Sequence, residues 1–125
     1  MGSTSGRPVV IKLGGAALPH REAVLRDLTA AREAGFQPIL VHGGGPVISE
    51  WLKRIGKQPT FVDGLRVTDA ETLEVATMAL AGKVNKELVA TLNLAGTPAV
   101  GIAGADGGWI RATRITEPDL GFVGE

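Results

Sequence analysis

Apolar and polar positions along the chain predict strand, helix, strand and helix in that order. Residues 7–13 and 36–42 are short apolar runs of the kind found in buried strands. Between them, residues 20–34 carry apolar side chains at helical spacing, and a second helix is predicted over residues 46–54. Strands and helices that alternate at this spacing predict an α/β fold: a mostly parallel open sheet with helices on both faces, in three layers.

The middle of the chain predicts a hairpin followed by a long helix. Asp63-Gly64 lies between two short apolar stretches, which is a signal for a tight β-turn. Thr68 and Glu71 have the spacing of a capping box, with Thr68 as the N-cap of a helix that ends near Leu94. The expected buried stripe of this helix consists of Leu73, Ala76, Leu80, Val84, Leu88 and Leu92.

The last third of the chain returns to strand-like patterns. Residues 98–103 predict a third buried strand, tipped by a glycine-rich turn at residues 104–108. Residues 109–115 alternate weakly, as in a hairpin at the edge of a sheet. Residues 120–125 resemble the beginning of another strand, so we expect the chain to be part of a larger fold.

Composition narrows the classes of function. A length of 125 residues predicts one domain, and 13 basic against 13 acidic residues leave no net charge, so a nucleic-acid partner is not indicated. The absence of cysteine excludes disulfides, thiolate metal sites and cysteine nucleophiles. No apolar run approaches the roughly 18–20 residues of a membrane span. We expect a cytoplasmic domain over residues 8–125, preceded by a flexible tail over residues 1–7.

Both predicted strands of the first half end in glycines: Gly14-Gly15 after the first, and Gly43, Gly44 and Gly45 after the second. Glycine lets backbone N–H groups approach an anion, and the N-terminus of the following helix adds positive potential. Neither a G-x-G-x-x-G fingerprint nor a Walker A loop is present. A phosphate cradle of another design is therefore predicted, although tight βα turns without a ligand explain each glycine cluster as well.

Two basic residues are candidates for the chemistry. Lys12 precedes the first glycine cluster at the C-terminal end of a strand, where open α/β sheets bind ligands, and its ammonium could neutralise a transferring phosphoryl group. A lysine at the sheet edge that reaches solvent is the alternative. Arg66 follows the predicted hairpin turn, and its planar fork is suited to a carboxylate; a surface arginine is the alternative.

Four other polar residues are interpreted structurally. We expect His42 to bind backbone and shape the glycine turn, and His20 to lie exposed near a helix start. Asp106, between small residues, is interpreted as a turn former. Asn85 is a poor helix former inside the long helix, so we expect it to contact a neighbouring element or a ligand.

Four segments together resemble the acetylglutamate kinases of the amino acid kinase superfamily. In chain order they are residues 11–15, 41–46, 63–68 and 80–86. The resemblance covers nearly all of the chain after residue 7. It implies ATP-dependent phosphorylation of the side-chain carboxylate of N-acetyl-L-glutamate, a step of arginine biosynthesis. Magnesium is implied only as part of the MgATP substrate, with no metal site of the protein's own.

The resemblance also implies roles for individual residues. Lys12 would stabilise the transferring phosphoryl group, and Arg66 would grip the α-carboxylate of the substrate. Backbone N–H groups would point toward ATP phosphates from Gly14, Gly15 and Gly43, and toward the reacting end of the substrate from Gly44 and Gly45. A carboxylate nucleophile is already ionised at pH 7, so no general base is required.

Members of this family are considerably longer than this chain. The resemblance therefore implies that residues 8–125 are an incomplete amino-acid-binding domain, that an ATP-binding domain is missing, and that the chain alone binds substrate without turnover. It further implies a homodimer formed through this half. Two other functions remain open: a sister kinase acting on a carrier-bound aminoadipate in lysine biosynthesis, and a non-catalytic module that binds small molecules.

Overall fold

A computed structural model describes residues 6–15 and 20–125. Most of the predicted N-terminal tail, residues 1–5, lies outside the described residues. The first half contains two strands and two helices in alternation: β1 (Arg7–Leu13), α1 (Arg21–Glu33), β2 (Phe36–His42) and α2 (Gly45–Arg54). The predicted boundaries of these four elements are confirmed to within a residue.

Strands β1 and β2 pair in parallel, from Arg7 opposite Phe36 to Leu13 opposite His42. Helix α1 forms the crossover, and two residues after its end Gly35 has a φ of 83°, which is readily available only to glycine. This parallel unit confirms the predicted α/β class. It brings the C-terminal ends of both strands, and the glycines that follow them, to one edge of the sheet.

The prediction that both strands are buried is wrong. Val10 is 66% exposed and Ile39 52% exposed, and only Leu13 of β1 is buried. Each strand has one paired neighbour among the described residues, so its other edge and part of its faces remain open. The apolar sequence predicted the positions of the strands correctly. How many of their faces are covered by other elements depends on tertiary packing, which the sequence pattern does not show.

The prediction of a third strand over residues 98–103 is also wrong. The segment forms no ladder, and a cavity of about 440 Å³ lies between residues 97–102 and β2. Side chains of the long helix donate hydrogen bonds to two carbonyl groups of this segment. Lys86 Nζ donates to the Gly101 carbonyl at 3.0 Å, and Asn85 Nδ2 donates to the Ile102 carbonyl at 3.4 Å. Carbonyl oxygens bound in this way are drawn toward the helix instead of toward a neighbouring strand.

The predicted hairpin is confirmed. Strands β3 (Phe61–Val62) and β4 (Leu65–Arg66) are antiparallel and are joined by Asp63 and Gly64. Both turn residues have positive φ, at 49° and 81°, as the two-residue turn that suits the strand twist requires. This short turn sets the register in which Phe61 lies opposite Arg66.

The long helix is confirmed, with an internal change of pitch that the sequence did not predict. It runs through α3 (Ala70–Thr77), a π-helical segment (Met78–Val84) and α4 (Asn85–Leu94). The N-cap is Asp69, whose carboxylate accepts from the Thr72 backbone N–H at 2.9 Å. The prediction of Thr68 as the cap is wrong because Thr68 is bound to another strand.

That strand is β6 (Asp119–Gly124), which pairs with β5 (Arg114–Thr116). Thr68 donates its N–H to the Leu120 carbonyl and accepts from the Phe122 N–H, both at 2.7 Å. These bonds confirm the strand pattern predicted after residue 119. Within the segment predicted as an edge hairpin, only Arg114 and Ile115 are in a strand.

The predicted stripe on the long helix is partly wrong. Leu73 is 38% exposed, whereas Val75 and Ala79 are buried against Ile48 and Leu52 of α2. Apolar residues surround this helix on several sides, so periodicity alone did not identify its packed face. In the π-helical segment the buried residues Ala79 and Val84 are five apart, a spacing that the α-helical pattern does not contain.

An ionic cluster joins the end of α2 to the start of α3. Lys57 Nζ donates to both carboxylate oxygens of Asp69 and to Glu71 Oε2, at 2.6–2.8 Å. The hydrogen bonds from Lys57 and from Thr72 hold the pKa of the Asp69 carboxyl well below its usual range. The ionised form is therefore favoured in the folded state.

We expect Asp69 to make stability depend on pH in the acid range. Because its pKa is lower in the folded chain, its contribution is complete above the unfolded value of about 3.9 and is lost as the pH falls through the lower folded value. Urea unfolding between pH 2 and pH 7 should show a smaller loss of stability on acidification for Asp69→Asn than for wild type. Asp27→Asn, at an exposed carboxylate of α1 with no ion pair to the described residues, is the control and should follow wild type. Parallel curves for Asp69→Asn and wild type would contradict the expectation.

Among the helices of the described residues, none has the length and apolar character needed to cross a membrane.

Candidate active site

The two glycine turns meet at the N-terminus of α2. Gly43 N–H donates to the Leu13 carbonyl at 3.1 Å, which continues the pairing of β1 and β2 beyond the strands. A Cβ on Gly15 would lie 3.1 Å from Pro46 Cδ, so the two turns are in close contact. The sequence-predicted glycines are therefore brought together at the C-terminal edge of the parallel strands, where α/β sheets commonly bind ligands.

The glycines differ in what lies at the position that a side chain would occupy. A Cβ on Gly14, Gly43 or Gly45 would meet no atom of residues 6–15 and 20–125 within 4 Å, so within this part of the chain the backbone at these positions faces open space. Gly44 is different, because a Cβ there would lie 2.7 Å from Leu80 Cδ2 and would also crowd Val84. Glycine at position 44 thus allows the turn to pack against the π-helical segment.

Substitution of Gly44 by alanine is expected to destabilise the fold. Its φ of 171° is ordinary extended backbone, so the penalty comes from the clash with Leu80 and amounts to about 1–3 kcal/mol. Urea denaturation monitored by circular dichroism measures it. Gly43→Ala is the matched control, since a methyl group there enters open space. Equal stabilities of the two variants would contradict the packing role of Gly44.

Lys12 is the penultimate residue of β1 and its side chain is exposed. It makes no hydrogen bond or ion pair with the residues that the structure describes, so its ammonium is available to a ligand. Its register partner in β2 is Val41, one residue before His42. Lys12 therefore lies at the same C-terminal end of the parallel strands as both glycine turns.

Arg66 is held against the first turns of α2. Its Nη2 donates to the Gly45 carbonyl at 3.1 Å and to Ser49 Oγ at 2.9 Å. The guanidinium carbon lies 4.6 Å from the centre of the Phe61 ring, within the range of a cation–π contact. Contacts with Gly45 join Arg66 to the second glycine turn, so the hairpin and the strand edge form one site.

One buried nitrogen of Arg66 has no hydrogen-bond partner among the described residues. Nη1 is buried and makes no hydrogen bond, the one such side-chain atom among the described residues. Burial lowers the pKa of the Arg66 guanidinium, but arginine remains charged at neutral pH. A buried, charged donor left unpaired is costly, and an acceptor such as a carboxylate would remove that cost.

His42 and Asn85 connect the second glycine turn to the long helix. His42 Nδ1 donates to the Gly43 carbonyl at 3.0 Å, and its Nε2 accepts from Asn85 Nδ2 at 3.3 Å. Asn85 is buried, at 8% exposed. The structure thus confirms His42 as a residue that shapes the turn and Asn85 as a contact to neighbouring elements.

The remaining two structural interpretations also hold. His20 is exposed and occupies the N-cap position of α1, without a side-chain capping bond. Asp106 Oδ2 accepts from the Ala103 N–H at 2.8 Å, as a turn-forming carboxylate does. Neither residue is a hydrogen-bond partner of Arg66.

Ser49 and Phe61 are site residues that the sequence reasoning missed. Both had a signal. Ser49 comes four residues after Gly45, so it lies on the same face of α2. The two-residue turn of the hairpin places Phe61 directly opposite Arg66. What the sequence lacked was the approach of the hairpin to α2, which is a tertiary contact.

The cavity beside β2 is separate from this site, because Lys12, Arg66 and the glycine turns do not line it. Within residues 6–15 and 20–125 no group of three or more histidine or acidic side chains could hold a metal ion.

The fold and the glycine-lined strand edge define an α/β protein with a candidate anion site at the ends of its parallel strands. The chain belongs to the amino acid kinase family, whose model matches residues 7–125.

Among proteins with curated names, the chain is 49% identical over 124 residues to an acetylglutamate kinase of Synechocystis sp. and 52% identical over 124 residues to one of Parasynechococcus marenigrum. Each comparison covers 97% of this chain but 42% of the relative. The chain therefore spans less than half the length of these relatives.

Two solved structures resemble this fold. N-acetylglutamate synthase from Neisseria gonorrhoeae, in complex with coenzyme A and N-acetyl-glutamate, matches 95% of this chain and 28% of its own, with a TM-score of 0.73 and 25% identity. The protein smu.665 from Streptococcus mutans matches 71% of this chain and 37% of its own, with a TM-score of 0.65 and 32% identity.

Proposed function

We propose that the chain is the amino-acid-binding part of an enzyme that transfers the γ-phosphoryl group of MgATP to the side-chain carboxylate of N-acetyl-L-glutamate. The product is an acyl phosphate, and the step belongs to arginine biosynthesis in the cytoplasm. The observation that carries this proposal is the unpaired, buried Nη1 of Arg66 beside the glycine turns. The identity of about 50% to acetylglutamate kinases supports the choice of substrate.

Arg66 binds the α-carboxylate of the substrate in this proposal. Its Nη1 supplies a charge-assisted hydrogen bond, while Nη2 stays bound to α2. Gly45 faces open space next to this guanidinium, so its backbone can approach the ligand. Gly44 N–H, in the same turn, is directed at the reacting end of the substrate.

Lys12 stabilises the phosphoryl group during transfer. A side-chain carboxylate oxygen of the substrate attacks the γ-phosphorus, a new P–O bond forms, and the bond to the ADP oxygen breaks. Negative charge on the moving group is met by the Lys12 ammonium and by the N–H groups of Gly14 and Gly15. The Gly43 N–H does not take this role, because it donates to the Leu13 carbonyl. The magnesium ion arrives with ATP as part of the substrate.

The domain over residues 8–125 binds N-acetyl-L-glutamate by itself but does not turn it over. Phosphoryl transfer requires positioning of both reactants, and this chain corresponds to under half of its relatives. We propose that most of the residues that bind ATP lie in the part of the relatives that this chain does not cover.

A titration followed by NMR tests substrate binding. N-acetyl-L-glutamate is added to the isotope-labelled chain, with L-glutamate as the control ligand. We expect selective shifts of the backbone amides of Gly44 and Gly45 and of the Arg66 side chain, with the acetylated ligand only. A dispersed spectrum that does not respond to N-acetyl-L-glutamate would contradict the proposed substrate.

The reaction is tested by measuring turnover by the protein that the natural gene encodes, called the natural gene product from here on. Acyl phosphate can be trapped with hydroxylamine, and ADP release can be followed in parallel. A clear preference for a carrier-bound aminoadipate would replace the proposed substrate by that of the sister kinase. Absence of ATP turnover would favour a non-catalytic binding module.

We also propose a homodimer formed through this domain. Apolar side chains remain exposed on the long helix and the hairpin, including Leu73, Met78 and Phe61. Sedimentation velocity at micromolar concentration measures the mass. A strict monomer would contradict the dimer.

A further inference from the structure

We propose that Ser49 is a positioning residue that orients the Arg66 guanidinium, so that its free Nη1 points to a single place for a ligand carboxylate. The inference rests on the proposed function for the identity of the ligand. The orientation itself depends only on contacts within the chain. Ser49 Oγ accepts from Arg66 Nη2 at 2.9 Å, the shorter of the two bonds to that nitrogen.

Phe61 alone cannot supply this orientation. The centre of its ring lies 4.6 Å from the guanidinium carbon, and this contact restrains how far the group lies from the ring. A guanidinium over the face of a ring can still rotate, because the face offers similar attraction at every angle. The direction of each nitrogen must therefore be set by acceptors at the rim of the group.

Two acceptors from α2 provide that restraint. Gly45 and Ser49 are four residues apart, so the Gly45 carbonyl and the Ser49 hydroxyl lie on one face of the helix. Both bind Nη2, which uses both of its protons. Nη1 is then the nitrogen directed away from α2, and it is the one that remains buried without a partner.

Ser49 is the part of this arrangement that a side-chain substitution can test. The Gly45 carbonyl belongs to the backbone and remains in any variant. Alanine at position 49 removes the second acceptor, and because alanine favours a helix interior, α2 should keep its structure. With one acceptor left, either Nη1 or Nη2 can bind the Gly45 carbonyl, and the free nitrogen no longer has one direction.

The experiment compares Ser49→Ala with Ser49→Thr, which keeps a hydroxyl at the same position. In the natural gene product we expect Ser49→Ala to raise KM for N-acetyl-L-glutamate about tenfold with little change in kcat, and Ser49→Thr to restore most of the affinity. Thr60→Val is the matched control: it removes a hydroxyl next to Phe61 in the sequence that makes no hydrogen bond with Arg66, and it should behave as wild type.

A second readout does not depend on substrate. NMR of the Arg66 side chain in the labelled chain should show separate, slowly exchanging guanidinium signals in wild type and Ser49→Thr, and averaged signals in Ser49→Ala. Unchanged signals in Ser49→Ala would overturn the positioning role. Equal losses of affinity in the Ala and Thr variants would overturn it as well, since the hydroxyl would then not be responsible.

The two proposals fail in different ways. If wild type neither binds nor phosphorylates N-acetyl-L-glutamate, yet Arg66 loses its separate signals in Ser49→Ala, the substrate assignment is wrong and the orientation stands. If wild type binds and Ser49→Ala binds equally well with unchanged Arg66 signals, the positioning role is wrong and the proposed function stands.

Discussion

Replacement of Lys12 by alanine is expected to lower kcat of the natural gene product by roughly 100-fold or more, with KM for N-acetyl-L-glutamate nearly unchanged. The ammonium would act on charge that develops during transfer, not on the bound carboxylate. Lys12 has no ion pair with the described residues, so its loss should not affect folding. Steady-state kinetics with separate variation of both substrates measures the effect.

Two variants sharpen this test. Lys12→Arg keeps the charge but changes its geometry, and it should recover only part of the rate. Lys53→Ala removes a lysine from the last turn of α2, at the far end of that helix from the glycine turns, and should be neutral. A Lys12→Ala enzyme that retains full turnover would remove Lys12 from the mechanism and would favour a generic phosphate-binding domain.

Replacement of Arg66 by methionine is expected to weaken binding of N-acetyl-L-glutamate by about 100-fold or more. The variant loses the buried charge that would meet the α-carboxylate, whereas methionine retains much of the apolar contact with Phe61. The change should appear as a higher dissociation constant in calorimetry of the chain and as a higher KM of the natural gene product.

The controls for Arg66 separate ligand binding from stability. Arg66→Lys keeps a positive charge without the planar fork and should not restore affinity. Arg54→Met removes a different ring-stacked arginine, which lies 4.8 Å from the Trp51 ring on α2 and pairs with Glu50. Its affinity should equal that of wild type. An Arg66→Met chain that is folded, as judged by its amide spectrum, and binds normally would contradict the proposed anchor.

The glycine turns illustrate how far a sequence pattern reaches. Glycine after each strand predicted bare backbone at the strand edge, and the open space at Gly14, Gly43 and Gly45 agrees with that expectation. The same reasoning could not distinguish Gly44, where glycine accommodates Leu80. A missing side chain has the same appearance in sequence whether a ligand or a neighbouring helix occupies the space.

The wrong predictions have a common physical origin. Residues 98–103 have the composition of a strand, but the carbonyl groups of Ile102 and Gly101 are bound by Asn85 and Lys86 from a helix. Thr68 has the spacing of a helix cap, but its backbone pairs with β6. In each case a contact between distant parts of the chain competes with the local preference and outweighs it.

Local chemistry along the sequence determined the elements of the first half, the turn at Asp63-Gly64, the extent of the long helix and the basic residues at the candidate site. Each depends on neighbours within a few residues, through backbone geometry and periodicity. Tertiary structure alone decided the exposure of the strands, the π-helical segment, and the meeting of Arg66 with Ser49 and the Gly45 carbonyl. These features arise where elements far apart in sequence pack together, and the free energy of such contacts is not contained in any local pattern.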